Sequence, residues 1–384
     1  MKDSTNSIRI QTDRTEYREH SAPLFLTSSF TYHDAEHAQT MFKGEGEGNI
    51  YSRFTNPNTT ELINKVCALE EAEAGVCAAS GMSAIFNTLI AHLVAGDEVV
   101  ASNSLFGNTT YIFQHILPSW GISCKFVGLT DHEGWKSSIT DQTKMVLIET
   151  PSNPGLEMIN ISWLSGLCKA HNAILAVDNC FATPILQKPM LLGADLSIHS
   201  ATKWMDGQGR VLGGLVVGHE RYVTPIYDFL RRTGPCMSPF NAWILSKSIE
   251  TLEIRMQRHC ENALALAQYL ADHDSVDRVI YPWLSSHPQH DLAKQQMTMG
   301  GGIVTCHLKG TQSECFQFIN KLEMLSLTAN LGDSRTIITH PATTTHSKLS
   351  PPDQVKAGIT PTTLRISVGL EHITDIISDI QQAL

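Results

Sequence analysis

The sequence predicts an α/β fold on a mostly parallel central sheet, followed by a smaller α+β region. Through the first part of the chain, short apolar runs such as 174–178 alternate with segments of helical periodicity such as 161–170. Apolar strands that alternate with helices are typical of a parallel sheet covered on both faces. After about residue 235, a long helical stretch at 243–270 precedes further strand candidates, which favours a separate α+β arrangement.

Each element is predicted from its hydrophobic period and its length. In the α/β region, strands are predicted at 98–101, 123–127, 145–149, 174–178, 196–199 and 215–217. Helices are predicted from about residue 58, from about residue 82, and at 109–117 and 161–170. In the α+β region, strands are predicted at 302–307 and 364–368, with helices near 315–322 and 373–384. Residues 1–55, with a glycine-spaced stretch at 43–48, are predicted to be irregular, so three parts are expected: 1–55, 56–235 and 236–384.

Composition and charge exclude several classes of protein. Of the 384 residues, 42% are hydrophobic and 17% are charged, a balance that argues against long disordered stretches. A net charge of −10 argues against nucleic-acid binding, which depends on clustered Lys and Arg. The first residues are polar, unlike a signal peptide, and the apolar segment 84–95 is too short for a membrane span, so a cytoplasmic protein is predicted. Nine cysteines without CxxC spacing indicate reduced thiols, His340 and His346 lack HExxH spacing, and no metal site is predicted.

Lys203 follows a predicted strand in the motif Ser200-Ala201-Thr202-Lys203. A lysine amine held partly out of water has a lowered pKa, which frees a neutral, nucleophilic nitrogen. The hydroxyl groups of Ser200 and Thr202 can hold an anion beside it. An ordinary exposed lysine after an edge strand is the simpler explanation of these residues, so the motif alone does not decide the function.

Two motifs upstream favour the reactive lysine over the ordinary exposed one. Asp178 ends the apolar run 173–177, which predicts its carboxylate at the carboxyl edge of a buried strand, where open α/β sheets bind ligands. A carboxylate there can pair with a protonated pyridine nitrogen. Ser80-Gly81-Met82 opens a predicted helix, whose first N–H groups can bind phosphate. A helix N-cap explains either motif taken singly, but together with Lys203 they predict a cofactor site.

Three further motifs supply weaker candidates. Tyr51 and Arg53 can both donate to phosphate oxygens, although a surface pair explains them as well. Asn153 follows a predicted strand and can hydrogen-bond a ring oxygen, although a proline turn is the alternative. Arg365 interrupts an apolar strand and therefore needs a partner, either the carboxylate of an amino-acid substrate or a structural salt bridge.

Taken together, these motifs resemble the Cys/Met-metabolism (trans-sulfuration) family of pyridoxal-phosphate (PLP) enzymes. The likeness covers about residues 27–384, and its motifs in chain order are Tyr51-Ser52-Arg53 with Asn56-Pro57, Ser80-Gly81-Met82, Glu149-Thr150-Pro151-Ser152-Asn153-Pro154, Val177-Asp178-Asn179 and Ser200-Ala201-Thr202-Lys203. The resemblance implies the aspartate-aminotransferase-like fold (fold type I) of a PLP-dependent transferase. It also implies a homotetramer, a dimer of dimers, in which the arm 1–55 contacts a neighbouring subunit, 56–235 binds the cofactor, and active sites are shared.

The resemblance also implies a role for each candidate residue. Lys203 would hold pyridoxal 5′-phosphate covalently and then move protons between substrate carbons. Asp178 would pair with the pyridinium nitrogen, Asn153 with the phenolic oxygen, and Arg365 with the α-carboxylate of the substrate. The groups implied for the phosphate are Gly81, Met82, Ser200 and Thr202, with Tyr51 and Arg53 from a neighbouring subunit.

Phe106 is a departure that narrows the choice of reaction. Many members of the family carry a tyrosine there, and a phenylalanine can stack on the cofactor ring but has no phenol to act as acid or base. Tyr51 therefore becomes the candidate phenolic catalytic group. Asn108 stands where γ-lyases of the family carry a cysteine. Both differences point away from methionine γ-lyases and towards the members that use sulfide.

The resemblance accordingly predicts γ-replacement on O-succinyl-L-homoserine, in which sulfide replaces succinate and gives L-homocysteine in methionine biosynthesis. Cysteine as the nucleophile, a methionine or cystathionine lyase, an acetyl ester and a silent PLP-binding protein remain open. A nicotinamide-dependent oxidoreductase would need GxGxxG between a strand and a helix, and neither Gly207-Gln208-Gly209 nor Gly300-Gly301-Gly302 has that context. The expected partners are small molecules, with neither nucleic acid nor membrane.

Overall fold

Two β-sheets organise the computed structural model, which describes residues 1–350, 354–355 and 357–384. The strands in chain order are β1 Ala74–Ala78, β2 Glu98–Ser102, β3 Ser123–Val127, β4 Thr143–Glu149, β5 Ile174–Asp178, β6 Leu196–Ser200, β7 Gly214–Gly218, β8 Val276–Ile280, β9 Ile303–Leu308, β10 Ser326–Leu327, β11 Ile337–Thr339 and β12 Thr363–Ser367. The first sheet has the order β1-β7-β6-β5-β4-β2-β3, and the second has the order β10-β11-β12-β9-β8.

Helices connect the strands and cover the sheets. The α-helices described are Asp3–Arg9, Ala35–Lys43, Pro57–Glu70, Gly81–His92, Gly107–Tyr111, Leu117–Ser119, His132–Ser138, Ile161–Ala170, Thr183–Leu186, Glu220–Thr233, Pro239–Ile249, Leu252–Ala271, His290–Gln296, Gln312–Lys321 and Ile373–Ala383. A π-helical turn at Ile112–Ile116 and a 3₁₀ turn at Pro341–Thr343 complete them.

The first sheet is mostly parallel, as the sequence predicts. Strands β6, β5, β4, β2 and β3 pair in parallel, whereas β7 runs antiparallel between β6 and β1. Glu149 is paired with Asp178, which in turn is paired with Ile198 two residues before Ser200. Since parallel strands end at the same edge, the polar residues that end β4, β5 and β6 lie side by side.

The second sheet is mostly antiparallel, because β8, β9, β12 and β11 pair antiparallel and only β10 joins in parallel. The helix Leu252–Ala271 buries Ala263, Leu266 and Leu270 in a cluster that includes Val304 of β9. This arrangement matches the predicted α+β character. The dividing positions near residues 55 and 235 stay predictions.

Three local features differ from the sequence predictions. β1 was not predicted, and residues 1–55 contain two helices rather than irregular chain alone. The second of these helices is capped at both ends, since the Asp34 carboxylate accepts the N–H of His37 at 2.7 Å and Gly44 adopts a left-handed φ of 76°. The glycine-spaced stretch thus begins as a helix C-cap. The predicted helix 243–270 is interrupted at residues 250–251, where Arg255 donates to the carbonyl of Ser248 at 3.0 Å.

The described part of the chain contains no membrane-spanning helix, no disulfide and no cluster of metal-ligating side chains. None of its helices has the length and apolar composition needed to cross a membrane. All nine cysteines lie within it and are free. Within the same ranges, no group of three or more His, Cys, Asp or Glu side chains is placed to hold a metal ion.

Candidate active site

A cavity of about 740 Å³ lies at the carboxyl edge of β4, β5 and β6. It brings together most of the residues singled out in the sequence. Those on its wall are Gly81, Met82, Phe106, Asn153, Asp178, Ser200, Thr202, Lys203 and Arg365. Candidates from distant parts of the sequence therefore share one site, as expected for the carboxyl edge of an open sheet.

The start of the helix Gly81–His92 abuts the end of β6. A Cβ atom at Gly81 would lie 2.6 Å from the Cβ of Ser200, so only glycine permits this approach. Ser80 caps the helix by accepting the N–H of Ser83 at 3.1 Å. The N–H groups that precede Ser83 have no partner within the helix, because the first turn of any helix lacks preceding carbonyl groups. Helix N–H groups beside the hydroxyls of Ser200 and Thr202 suit an anion such as the phosphate of PLP.

Lys203 is held with its amine inside the cavity. Its Nζ donates to the Oδ1 of Asn330 at 2.6 Å. Burial lowers the pKa of Lys203 below its ordinary value, the Cys180 thiol group opposes the shift, and the positive charge of Arg365 lowers the pKa further. A larger neutral fraction makes this nitrogen a better nucleophile and base.

Packing of Trp204 and hydrogen bonds from Arg255 fix the backbone that follows Lys203. Trp204 is fully buried, and a Cβ at Gly302 would lie 2.4 Å from its ring. The guanidinium of Arg255 donates to the carbonyl oxygens of Trp204 at 2.6 Å and Met205 at 3.2 Å. The lysine is thus carried on a rigid turn, as precise chemistry requires.

Asp178 and Glu149 form an acidic pair at the floor of the cavity. Burial raises the pKa of Asp178 to about 6, although the N–H of Cys180, which donates to it at 3.1 Å, acts in the opposite direction. Burial and the charge of Asp178 raise the pKa of Glu149 well above its ordinary value, while the N–H of Phe106 donates to it at 2.8 Å. A desolvated carboxylate gains from a cation beside it, so Asp178 fits a protonated pyridine nitrogen.

Arg365 projects from β12 to the same cavity. Its guanidinium donates to the Oδ1 of Asn153 at 3.1 Å and to the carbonyl oxygens of Ala329 at 3.3 Å and Asn330 at 2.9 Å. Burial lowers the pKa of Arg365 to about 10, so the side chain stays charged at neutral pH. Its Nε finds no hydrogen-bond partner among the described residues. A buried charged group with a spare donor favours an anionic ligand such as a carboxylate.

Tyr51 and Arg53 are not among the residues that line the cavity of their own chain. Tyr51 is 40% exposed. The guanidinium of Arg53 lies 5.5 Å from the ring centre of Tyr51 and 4.9 Å from that of Phe54, and it donates to the carbonyl of Arg231. Within one chain, the structure does not bring either residue to the other candidates.

His346 is a cavity residue to which sequence reasoning assigned no role. Burial, strengthened by the charge of Arg365, lowers the pKa of His346 to about 4, so its imidazole is neutral at pH 7. Its ring therefore contributes shape and hydrogen bonding to the cavity rather than charge. The sequence offered only the cluster of Thr and His residues at 339–346 as a signal.

Behind Asp178 lies a buried polar network centred on Glu70. One oxygen of Glu70 accepts from Asn179 at 3.0 Å, Ser197 at 2.9 Å and His199 at 2.8 Å. All four side chains are buried. Asn179 and His199 neighbour the ends of β5 and β6, so the network ties these two strand ends together beneath the cavity.

Replacing Glu70 with alanine is expected to lower the free energy of unfolding by about 3–5 kcal/mol, because three buried donors lose their common acceptor. Urea denaturation of the variant and the parent measures the difference. Glu253→Ala, at an exposed helix position, is the control and should change it by less than about 0.5 kcal/mol. Equal stability of the Glu70 variant and the parent would contradict the role given to the network.

Comparison with known proteins decides the family. A sequence model described as Cys/Met metabolism PLP-dependent enzyme matches residues 4–384. The chain belongs to this family. Its fold is therefore the α/β fold of the PLP-dependent transferases, and its cofactor is PLP, as the sequence predicts.

Two relatives of the family and one solved structure illustrate the likeness. An O-succinylhomoserine sulfhydrylase of Pseudomonas aeruginosa is 44% identical over 380 residues, which are 99% of this chain and 94% of that protein. An L-methionine gamma-lyase of Fusobacterium nucleatum is 40% identical over 383 residues, 99% of this chain and 97% of that protein. A Campylobacter jejuni protein, whose crystal structure contains N′-pyridoxyl-lysine-5′-monophosphate, is 31% identical with a TM-score of 0.96, covering 100% of this chain and 99% of that one.

Proposed function

We propose that this enzyme catalyses γ-replacement on O-succinyl-L-homoserine, exchanging succinate for sulfide to give L-homocysteine in methionine biosynthesis. The observation that carries the proposal is the 44% identity, across nearly the whole chain, to an O-succinylhomoserine sulfhydrylase. Phe106 and Asn108 on the cavity wall favour the same reaction, since they replace the tyrosine and cysteine expected of a γ-lyase.

Each residue of the site has a task in this proposal. PLP, when bound, supplies an electron sink that stabilises negative charge on the substrate carbons. Arg365 binds the α-carboxylate and turns the Cα–H bond towards the Nζ of Lys203. Because its pKa is lowered, Lys203 can take the α-proton and help to remove the β-proton. Asp178 holds a positive charge on the ring nitrogen, and Asn153 donates to the phenolic oxygen.

The phosphate is proposed to lie between the helix start and the end of β6. Its proposed ligands within the chain are Gly81, Met82, Ser200 and Thr202, and Phe106 is proposed to stack on the cofactor ring. Tyr51 and Arg53 are proposed to complete the phosphate site of a neighbouring subunit. Their position outside the cavity of their own chain supports this assignment, which requires at least a dimer. We further propose a homotetramer, a dimer of dimers, in the cytoplasm, with the arm 1–55 reaching the neighbouring subunit.

Product analysis tests the proposed reaction. The PLP-loaded enzyme is given O-succinyl-L-homoserine with sulfide, and separately with cysteine, and homocysteine, cystathionine and succinate are quantified. Homocysteine and succinate in equal amounts are expected with sulfide. No homocysteine, together with release of methanethiol from L-methionine, would instead assign the lyase activity of the Fusobacterium relative.

Replacing Arg365 with lysine is expected to lower kcat/KM for the amino-acid substrate by about 10- to 100-fold. Lysine retains the charge but loses the forked geometry that binds a carboxylate through two hydrogen bonds. Steady-state kinetics should place the loss mainly in KM. The absorbance of bound PLP should match the parent, and an unchanged KM would remove Arg365 from the substrate site.

A further inference from the structure

One loop, Thr344 to Leu349, contributes all of its residues to the wall of the cavity. The loop passes from the buried His346 to the exposed Lys348. A Cβ at Gly107 on the opposite wall would lie 3.7 Å from the carbonyl oxygen of Thr345. The loop and the segment after Phe106 therefore approach each other closely at the mouth of the cavity.

Among the described residues, three lysine and arginine side chains line the cavity, and two of them already have a role. Lys203 donates to Asn330, and Arg365 donates to Asn153 and is proposed to bind the α-carboxylate of the substrate. Lys348 is the third, at the mouth. In the part of the chain that the structure describes, the Lys348 amine has neither an ion pair nor a hydrogen bond. The acidic side chains that line the cavity in the described part of the chain, Glu149 and Asp178, lie at its floor, where they end β4 and β5.

The succinyl ester of homoserine carries a carboxylate at each end. An acylated homoserine carries the α-carboxylate at one end and the acyl group at the other, and a succinyl group ends in a second carboxylate where an acetyl group ends in a methyl. His346 lies near enough to Arg365 for the guanidinium charge to lower its pKa. Lys348 follows two residues later, at most about 7 Å further along the chain. The flexible stem of a lysine extends this reach.

We propose that Lys348 binds the distal carboxylate of the succinyl group and thereby makes the enzyme select succinyl over acetyl esters. This inference rests on the proposed function and deepens it. Lys348 is exposed, so the contact is a partly solvated ion pair of modest strength, worth about 2- to 5-fold in selectivity. The same ion pair should weaken with added salt.

The experiment compares kcat/KM for O-succinyl- and O-acetyl-L-homoserine, each with sulfide, in the parent enzyme and in Lys348→Ala, Lys348→Glu and Lys348→Arg. The ratio of the succinyl to the acetyl value should fall about 2- to 5-fold in Lys348→Ala, fall further in Lys348→Glu, and stay near that of the parent in Lys348→Arg. Rising ionic strength should lower the succinyl value of the parent more than its acetyl value.

Ser347→Ala, at the exposed neighbouring position on the same wall, is the matched control and should leave the ratio unchanged. A ratio that stays constant in Lys348→Ala and Lys348→Glu would overturn the proposal. If the parent forms no homocysteine from either ester, the proposed function fails, and the role of Lys348 is then read from inhibition by the two esters of the turnover of L-methionine. In that case, weaker inhibition by the succinyl ester alone in Lys348→Ala supports the role, and equal changes for both esters overturn it.

Discussion

Replacing Lys203 with alanine is expected to lower kcat by about 10⁴-fold or more and to abolish covalent attachment of PLP. The variant loses an amine at the carboxyl edge of the sheet whose pKa is lowered by burial. It loses with it both the nucleophile that holds the cofactor and the base that moves the substrate protons. Steady-state rates give the first effect, and borohydride reduction followed by mass analysis of the labelled peptide gives the second.

Two further variants make this prediction specific. Lys203→Arg keeps a positive charge but cannot supply a neutral amine near pH 7, so it should be as inactive as the alanine variant. Lys136→Ala, which removes an exposed lysine paired with Glu133 at 2.7 Å, should retain full activity. A covalent PLP label that persists in Lys203→Ala would show that another residue carries the cofactor.

Most of the parallel strands could be predicted from the sequence because they are short, apolar and buried on both faces, whereas β3, at the sheet edge, is only partly buried. For β3 and β5 the predicted bounds agree with the structure, at Ser123–Val127 and Ile174–Asp178. β1 escaped prediction because Ala74–Ala78 contains two alanines and a glycine and few residues typical of strands. Its pairing with β7, far along the chain, is what makes it a strand.

The candidate site was predictable where a residue lies at the end of a strand or the start of a helix. Asp178 and Gly81 hold such positions, and the structure brings both to the cavity; their roles towards PLP stay predictions. Asn330 and Glu70 were missed because their contacts join residues more than a hundred positions apart, as in the bond from Lys203 to Asn330. Local pattern does not reveal such contacts. Glu70 alone gave a hint, since it ends a helix next to the buried Leu69.

Replacing Asp178 with asparagine is expected to stabilise the apo chain but to lower the catalytic rate. The asparagine can still accept the N–H of Cys180 but cannot balance a positive charge on the cofactor ring. Loss of one preorganised electrostatic partner should lower kcat by about 10²- to 10³-fold and weaken PLP binding. Titration of the apo enzyme with PLP and steady-state kinetics measure the two effects. An unchanged PLP affinity and rate would remove Asp178 from the cofactor site.

The sign of the stability effect follows from the raised pKa. In the folded apo chain the pKa of Asp178 is about 6 against an ordinary value of 3.8, so between these values the folded state binds more protons than the unfolded state. Stability therefore falls as pH rises through this window, and the full loss, about 1–3 kcal/mol, is present above pH 6. The uncharged asparagine avoids this loss and also relieves the repulsion that Asp178 exerts on Glu149.

At pH 7 the apo Asp178→Asn variant should accordingly be more stable than the apo parent, and the two should converge towards pH 4. Urea denaturation across this range measures the difference, and an apo variant less stable than the parent at pH 7 would contradict it. Saturating PLP should reverse the order, because only the parent gains an ion pair to the ring nitrogen. The free energy lost on burying the Asp178 charge is recovered only when the protonated ring nitrogen of PLP binds beside it. Cofactor binding therefore explains why a carboxylate that destabilises the apo chain stands at this position.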